Sequence, residues 1–362
     1  MRDRIFIVTD GGHEIGMGHV MRCLSLAKVL RIEKMDAGFF IHSKRSILPV
    51  YKRIESEGFK VRYLDSGIAD VLYEEKPDIL FIDLPHYISR QESGDKAREL
   101  GIVYMAVNDM FLNSEDADVI INPSILISPN PPLTSPDPST GWVPRPPSEG
   151  GERRGDLKGG RGGVYSGAEY AIINDSFYNT PFHFKERGRV VKNILITMGG
   201  SDSSHQTKRV LESLMESMKE VNIDVVIGMA YGDFTGNKYN DTRVKFHYDA
   251  KNMAELMMDA DIAFIAGGIT LYEAAFTGLP VIIIAQDKYQ ELTAREFQRR
   301  GFGHYLGMFD SITGDMIKKS SKRLFKDYDI RTEMSSTGRN LVDGKGVFRV
   351  AEIIKSVISA SD

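Results

Sequence analysis

Short apolar runs alternate along the chain with longer stretches in which apolar residues return at helical spacing. In the first half, strand character falls on "RIFIVTD" (4–10), "DAGFFIH" (36–42), "KVRYLD" (60–65), "DILFID" (78–83), "IVYMAVND" (102–109) and "DVIINP" (118–123). These runs are rich in β-branched and aromatic residues and are bounded by charged or turn residues, as buried strands are. Helical patterns lie between them, notably at 18–34 and 45–57. The alternation starts again with "KNILITMGG" (192–200), "NIDVVIG" (222–228), "RVKFHYD" (243–249), "ADIAFIAGG" (260–268) and "LPVIIIAQD" (279–287). Helical stretches at 204–220, 252–258, 270–277 and 290–300 separate these runs, and 346–360 is again helical in pattern. Strands alternating with helices predict an α/β chain with parallel sheets. Two successive units of this kind predict two similar domains facing one another across a cleft.

Residues 128–163 break the pattern. This stretch holds eight of the 14 prolines, eight glycines and the only tryptophan, Trp142. Proline removes ladder donors and glycine raises the entropy cost of ordering, so the expectation is a disordered Pro/Gly-rich surface insertion. Its Arg/Gly content invites a nucleic-acid reading, but its charge is nearly balanced and Trp142 is its only stacking aromatic, so no nucleic-acid partner is expected. The predicted organisation is a first domain over 1–127, the insertion over 128–163 and a connecting segment over 164–190. A second domain follows over 191–345, and a C-terminal helix over 346–362.

Composition narrows the function classes. The chain has 362 residues, 42% hydrophobic and 27% charged, with a formal net charge of −4. That balance is globular, with no overall basic field for nucleic acid or anionic lipid. Cys23 is the single cysteine, which leaves no intramolecular disulfide and no cysteine-based zinc site. The N-terminus passes from "MRDR" straight into "IFIVTD", and no apolar run approaches the ~18 residues of a membrane span. A cytoplasmic protein is expected, as a monomer or with weak self-association.

Several predicted strands end in polar residues such as Asp10, His42, Asp83 and Asp109, at the ends where doubly wound sheets bind ligands. Three turns carry candidate chemistry. In "TDGGHEIGMGHVMRCLSLAKVL" (9–30), Gly16 and Gly18 flank Met17 just before a helix that starts near His19. The third glycine of a dinucleotide fingerprint would fall on Met21, and no P-loop lysine follows, so neither motif is complete. His19, Arg22 and Cys23 share one side of that helix. A structural capping histidine is one reading of His19. The other is a catalytic base, because a helix start favours the neutral imidazole. In "TMGGSDSSHQT" (197–207), Gly199, Gly200 and Ser201 precede a helix and form a possible diphosphate seat. In "AGGITLYEAAFTG" (266–278), Thr270 and Glu273 read either as a capping box or as a phosphate and ribose site. "DAD" at 116–118 and 259–261 stands at element boundaries without a nearby His or Glu cluster, so no metal site and no cofactor are expected.

"GMGHVMRCLSLA", "ILITMGGSD", "NMAELMMDADIAFIAGGITLYEAAFTGLPVIII" and "LVDGKGVFRVAEII" together resemble the nucleotide-sugar hydrolases of pseudaminic-acid biosynthesis and the related spore coat polysaccharide biosynthesis proteins. The likeness covers nearly the whole chain except 128–163. It implies two Rossmann-like domains of the kind found in metal-independent B-type (GT-B) glycosyltransferases, with the nucleotide held mainly by the second. It implies water attack on the anomeric carbon of a UDP-activated diacetamido-trideoxy hexose, with inversion and loss of UDP. The matching motif falls on Gly16, Gly18, His19 and Arg22, with His19 catalytic, and the nucleotide segment on Gly267, Gly268, Thr270 and Glu273. Asp83 to Tyr87 loosely matches a family Asp-x-Tyr, making Tyr87 a catalytic candidate. Asp10, Asp83 and Gln290 join the substrate-binding candidates. Tyr289 stands where the family usually has Asn, and Asn174 where it has Arg. A glycosyltransferase using a UDP-sugar donor and a nucleotide-sugar-binding subunit without activity remain the alternatives.

Overall fold

The computed structural model describes residues 4–12, 15–42, 47–64, 67–85, 91–107, 117–126, 163–179, 188–202, 204–229, 231, 236 and 239–361. Tyr87 and the expected insertion up to residue 162 lie outside the described residues.

The first half builds β1 (Arg4–Thr9), β2 (Asp36–Ile41), β3 (Val61–Tyr63), β4 (Ile79–Asp83), β5 (Val103–Val107), β6 (Val119–Asn122) and β7 (Gly163–Ser166). They form one parallel sheet in the order β3-β2-β1-β4-β5-β6-β7. Helices α1 (Gly18–Ile32), α2 (Ile47–Ser56), α3 (Ala69–Glu75) and α4 (Gln91–Glu99) connect its strands. Side chains alternate across the sheet as the strand period of two requires. Ile5, Ile7, Phe39, Ile41, Ile79 and Phe81 pack toward α1, whereas Phe6, Val8, Phe40, Leu80 and Ile82 join a second cluster with Leu72 of α3 and Ala97 of α4.

The second half repeats the plan with β8 (Asn193–Thr197), β9 (Asn222–Ile227), β10 (Val244–Tyr248), β11 (Ile262–Ala266), β12 (Val281–Ala285) and β13 (His304–Met308), in the order β10-β9-β8-β11-β12-β13. Its helices are α6 (Gln206–Ser217), α7 (Met253–Asp259), α8 (Ile269–Thr277), α9 (Lys288–Arg299), α10 (Gly314–Lys326) and α11 (Tyr328–Leu341); the short α5 (Ser176–Asn179) precedes them. β11 and β12 are buried along their whole length, which suits parallel strands covered on both faces.

Strand order reverses between β1 and β4 in the first sheet and between β8 and β11 in the second. Those reversals open crevices at the carboxyl ends of the strands. They place the three glycine turns of the sequence at the β1, β8 and β11 ends. Two elements tie the halves together. In the segment after β7, Ile172 enters the core of the first half while Ile173 and Phe177 enter that of the second. Then α12 (Gly346–Ser361) returns from the end of the chain to the first half. There Val350, Ala351 and Ile354 are buried in the same cluster as Leu26 and Leu30 of α1.

Candidate functional site

β1 ends on Thr9, Asp10 follows, and the next turn is closed by reciprocal backbone bonds: Gly12 N donates to Gly16 O at 2.9 Å and Gly16 N to Gly12 O at 2.7 Å. Gly16 has φ +78°, a conformation that favours glycine. The turn delivers Met17 as the N-cap of α1, with no side-chain cap and no acidic residue in the first turn. The first turn therefore carries no acidic side chain of its own to offset the positive end of the helix.

One turn of α1 then aims three side chains at a single carboxylate. Asp83, the last residue of β4, is fully buried. Arg22 grips it from two nitrogens, Nε to Oδ2 at 2.5 Å and an Nη to Oδ1 at 2.6 Å. Cys23 Sγ lies 3.5 Å from Oδ2, and His19 Nδ1 lies 2.8 Å from Oδ1. Burial alone would push the Asp83 carboxyl up, but the Arg22 guanidinium and His19 hold it well below the usual range. An ionised carboxylate only accepts, so the Nδ1 proton of His19 points at Asp83. The Arg22 nitrogen 3.0 Å from Nδ1 is then a packing contact between two donors. Nε2 is left as the acceptor on a side chain that is 20% exposed. Burial and the Asp83 charge both push the Cys23 thiol well up, so it stays a neutral thiol within the packing.

Across the crevice, a methyl carbon placed on Gly18 would lie 3.9 Å from Ile269 Cγ2, so the starts of α1 and α8 meet. The N-cap of α8 is Gly268, again without a side-chain cap or an acidic residue in its first turn. Thr270 is consequently the second helical residue, and the capping-box reading of Thr270 and Glu273 fails: the Glu273 carboxylate accepts from Asn174 N at 3.2 Å instead. Glu273 is almost completely buried, and burial pushes its carboxyl up to about 7, the Asn174 bond opposing only in part. Strongly perturbed carboxylates cluster at functional sites.

The turn after β8 carries a cap for the helix that follows it. Asp202 is buried with φ +41°, and its two oxygens accept from Gln206 N at 2.9 Å and Thr207 N at 2.8 Å. The start of α6 is thus satisfied by the protein's own carboxylate, which removes those amides from any diphosphate seat. Gly199, at φ +81°, and Gly200 instead bring the turn against Met17: a methyl carbon on Gly200 would lie 3.0 Å from Met17 N. Ser201 stays half-buried in the same turn. Gln290 spans two amides of the second half, its Oε1 accepting from Gly267 N and Gln286 N, both at 3.1 Å. It shapes the turn before α8 and occupies the Gly267 amide.

The crevice thus gathers Gly16, Gly18, His19, Arg22 and Asp83 on one side, and Gly199, Gly200, Gly267, Gly268, Thr270 and Glu273 on the other. The expected partner Tyr87 lies outside the described residues. The sequence reading missed the Asp202 cap and the Asn174–Glu273 bond. An acidic residue ahead of a helix start hinted at the first, whereas the second joins residues 99 apart and had no local signal. Among the described residues no group of three or more His, Cys, Asp or Glu side chains is placed to hold a metal ion, and no helix is long and apolar enough to cross a membrane.

No family model matches the chain. Over 98% of its length it is 30% identical to an uncharacterized protein of Methanocaldococcus jannaschii, of which it spans only 66%. It is 25% identical to the spore coat polysaccharide biosynthesis protein SpsG of Bacillus subtilis, across 97% of both chains. Among solved structures, MurG of Acinetobacter baumannii superposes with a TM-score of 0.65 at 15% identity, covering 98% of this chain and 99% of that one. The calicheamicin glycosyltransferase CalG4 gives 0.65 at 12% identity, covering 99% and 98%. At such identities the likeness shows the fold, two Rossmann-like domains in the B-type glycosyltransferase arrangement.

Proposed function

The chain belongs to the family of the spore coat polysaccharide biosynthesis protein SpsG, and from that premise we propose that it cleaves UDP from a UDP-activated amino sugar by hydrolysis. The sugar we assign is a diacetamido-trideoxy hexose destined for nonulosonic acid or surface polysaccharide, handled in the cytoplasm. Residues 1–127 form the catalytic half and 191–345 the nucleotide half. The observation that carries this reading is His19, locked by Asp83 at the start of a helix, α1, that meets the uncapped start of α8.

The chemistry follows from that arrangement. His19 Nε2 takes a proton from a water molecule as its oxygen attacks the anomeric carbon. The bond from that carbon to the diphosphate oxygen breaks, its electron pair leaves on UDP, and the configuration inverts. Asp83 holds the imidazole in the required tautomer and faces the imidazolium that forms, while Arg22 balances the carboxylate. Amides at Gly268, Ile269 and Thr270 meet the charge that builds on the diphosphate. Glu273, when ionised, accepts from the ribose hydroxyls. Gly16 and Gly18 leave clearance for the sugar between the helix ends.

His19→Ala and His19→Asn are expected to abolish UDP release, with the UDP affinity measured by calorimetry unchanged within a few-fold. Turnover retained in either variant would sink the assignment. The fold shared with the calicheamicin glycosyltransferase favours a second reading, in which a sugar or lipid hydroxyl replaces water. Incubation of UDP-sugar without any acceptor separates the two: a hydrolase turns over many times, a transferase hardly at all.

A further inference from the structure

Asp10 has a place in the crevice that the reaction above leaves unused. It follows the last residue of β1 and is only 1% exposed. Its Oδ1 accepts from Gly11 N at 2.8 Å, which fixes the carboxylate plane. Gly11 itself is pinned, since a methyl carbon there would press on Val20 Cγ2 at 2.8 Å and Gly16 O at 3.1 Å. Oδ2 is buried and has no hydrogen-bond partner among the described residues. A buried, unpaired acceptor costs roughly 1–3 kcal/mol, more when charged. Such a group calls for a partner, whether an ordered water, an ion or a bound ligand.

The surroundings say what that is. β1 and β2 run in register to Thr9 and Ile41, and His42 N donates to Thr9 O at 3.2 Å, so Asp10 and His42 leave the sheet side by side. Burial pushes the Asp10 carboxyl above its usual range, and the Gly11 bond and the nearby His42 and His19 oppose this only in part. Asp10 thus stands at the carboxyl end of β1 on the catalytic side of the crevice, with the exposed His42 and the proposed base as neighbours.

We propose that Asp10 Oδ2 is a sugar-reading acceptor that pairs with a hydrogen-bond donor, a hydroxyl or an amide N–H, on the hexose of the bound UDP-sugar. The inference rests on the proposed function and adds what distinguishes the sugar from the nucleotide. The locked Oδ1 leaves Oδ2 one direction, so the donor must arrive at a fixed place on the ring. A sugar lacking a donor there leaves the acceptor unpaired, and a site of that kind rejects such analogues strongly.

Asp10→Asn tests this, because its side-chain oxygen keeps the Gly11 bond while the other position becomes a donor. Binding of UDP and of a panel of UDP-hexoses with and without acetamido groups is measured by calorimetry, with UDP release followed in parallel. The expected result is UDP affinity within two-fold of wild type, together with loss of at least ten-fold in KM or Kd for the UDP-sugar that wild type turns over best. Asp10→Ala is expected to lose the same discrimination, and the melting temperature of each variant reports that it is folded. Wild-type sugar affinity in folded Asp10→Asn would overturn the assignment while leaving the hydrolase reading intact. Absence of binding and turnover across the whole panel in wild type would instead overturn both.

Discussion

Glu273 sits on α8 with one oxygen on the Asn174 amide, and burial rather than a neighbouring charge sets its ionisation. Its folded pKa of about 7 lies above the ordinary glutamate value of ~4.3, so folding disfavours the ionised form. Its contribution to stability is therefore complete below the unfolded value and is lost as pH rises through about 7, amounting to roughly 3–4 kcal/mol by linkage. Glu273→Gln is expected to melt at the wild-type temperature near pH 4 and above it at pH 8. Its UDP affinity should fall at pH 8, where wild type holds ribose with a full charge. Calorimetric melts and titrations at the two pH values check both signs, and a variant that melts lower at pH 8 would contradict the burial argument. Asp83 presents the opposite case, a buried carboxylate kept ionised by Arg22 and His19. Asp83→Asn leaves a buried guanidinium without its counter-charge, at about 3–5 kcal/mol. It also removes the acceptor that holds the His19 tautomer, for which the expected fall in turnover is roughly 10⁴-fold. Denaturant melts and UDP-release rates measure the two losses separately.

At the level of elements, the starts of α6 and α8 separate two helix ends that look alike in sequence. Both follow a Gly-Gly turn, yet α6 receives the Asp202 carboxylate and, among the described residues, no side chain caps α8. Asp202→Ala is expected to destabilise the protein by about 1–2 kcal/mol, as loss of a cap does, with UDP affinity unchanged. Ile269→Pro does the reverse. Proline is tolerated at the first helical position but lacks the N–H, so the fold should hold while UDP binding weakens by about 1.5–3 kcal/mol for one lost charge-assisted bond. Calorimetric titration of both variants distinguishes a seat on α8 from one on α6. The same elements show what the sequence makes legible. The long apolar strands β1, β4, β11 and β12 and the stripe of α1 stand out because burial on both faces leaves an unbroken apolar signal. β13, "HYLGM", is half-buried along its length at the sheet edge and passes for loop. β7 is four residues long and follows the Gly-rich stretch, and in place of part of the expected connecting segment it extends the first sheet. The polar α4, with Ala97 its only apolar residue, does not stand out from a turn, and the short α3 spans only about two turns. In the site, the His19, Arg22 and Cys23 stripe was visible at helical spacing. That all three converge on Asp83 was not, because the pairing of β4 with β1 brings it there from 61 residues beyond Arg22.

On the scale of the whole molecule, α12 belongs to the second half by sequence and to the first half by packing. Val347, Val350, Ala351, Ile354 and Val357 are buried with residues of α1 and the first sheet, and Lys355 pairs with Glu33 just beyond α1 at 2.6 Å. The segment after β7 makes a second crossing, where Asp175 pairs at 2.8 Å with Lys28 of α1 and the next residue back, Asn174, holds Glu273. The helix that aims His19 is therefore held from behind by chain that leads into and out of the nucleotide half. A core so shared cannot be completed by either half alone, and the two are expected to unfold together. Ile354→Ala removes buried volume from α12 and should cost about 2–5 kcal/mol. The loss should appear as a downward shift of one calorimetric transition whose van't Hoff and calorimetric enthalpies agree. The same variant should leave UDP binding intact below its melting temperature, since no α12 side chain reaches α8 or the turn before it among the contacts described. Two separated transitions in wild type, with only the lower one moved by Ile354→Ala, would mean that the halves fold independently and that α12 merely rests on the first.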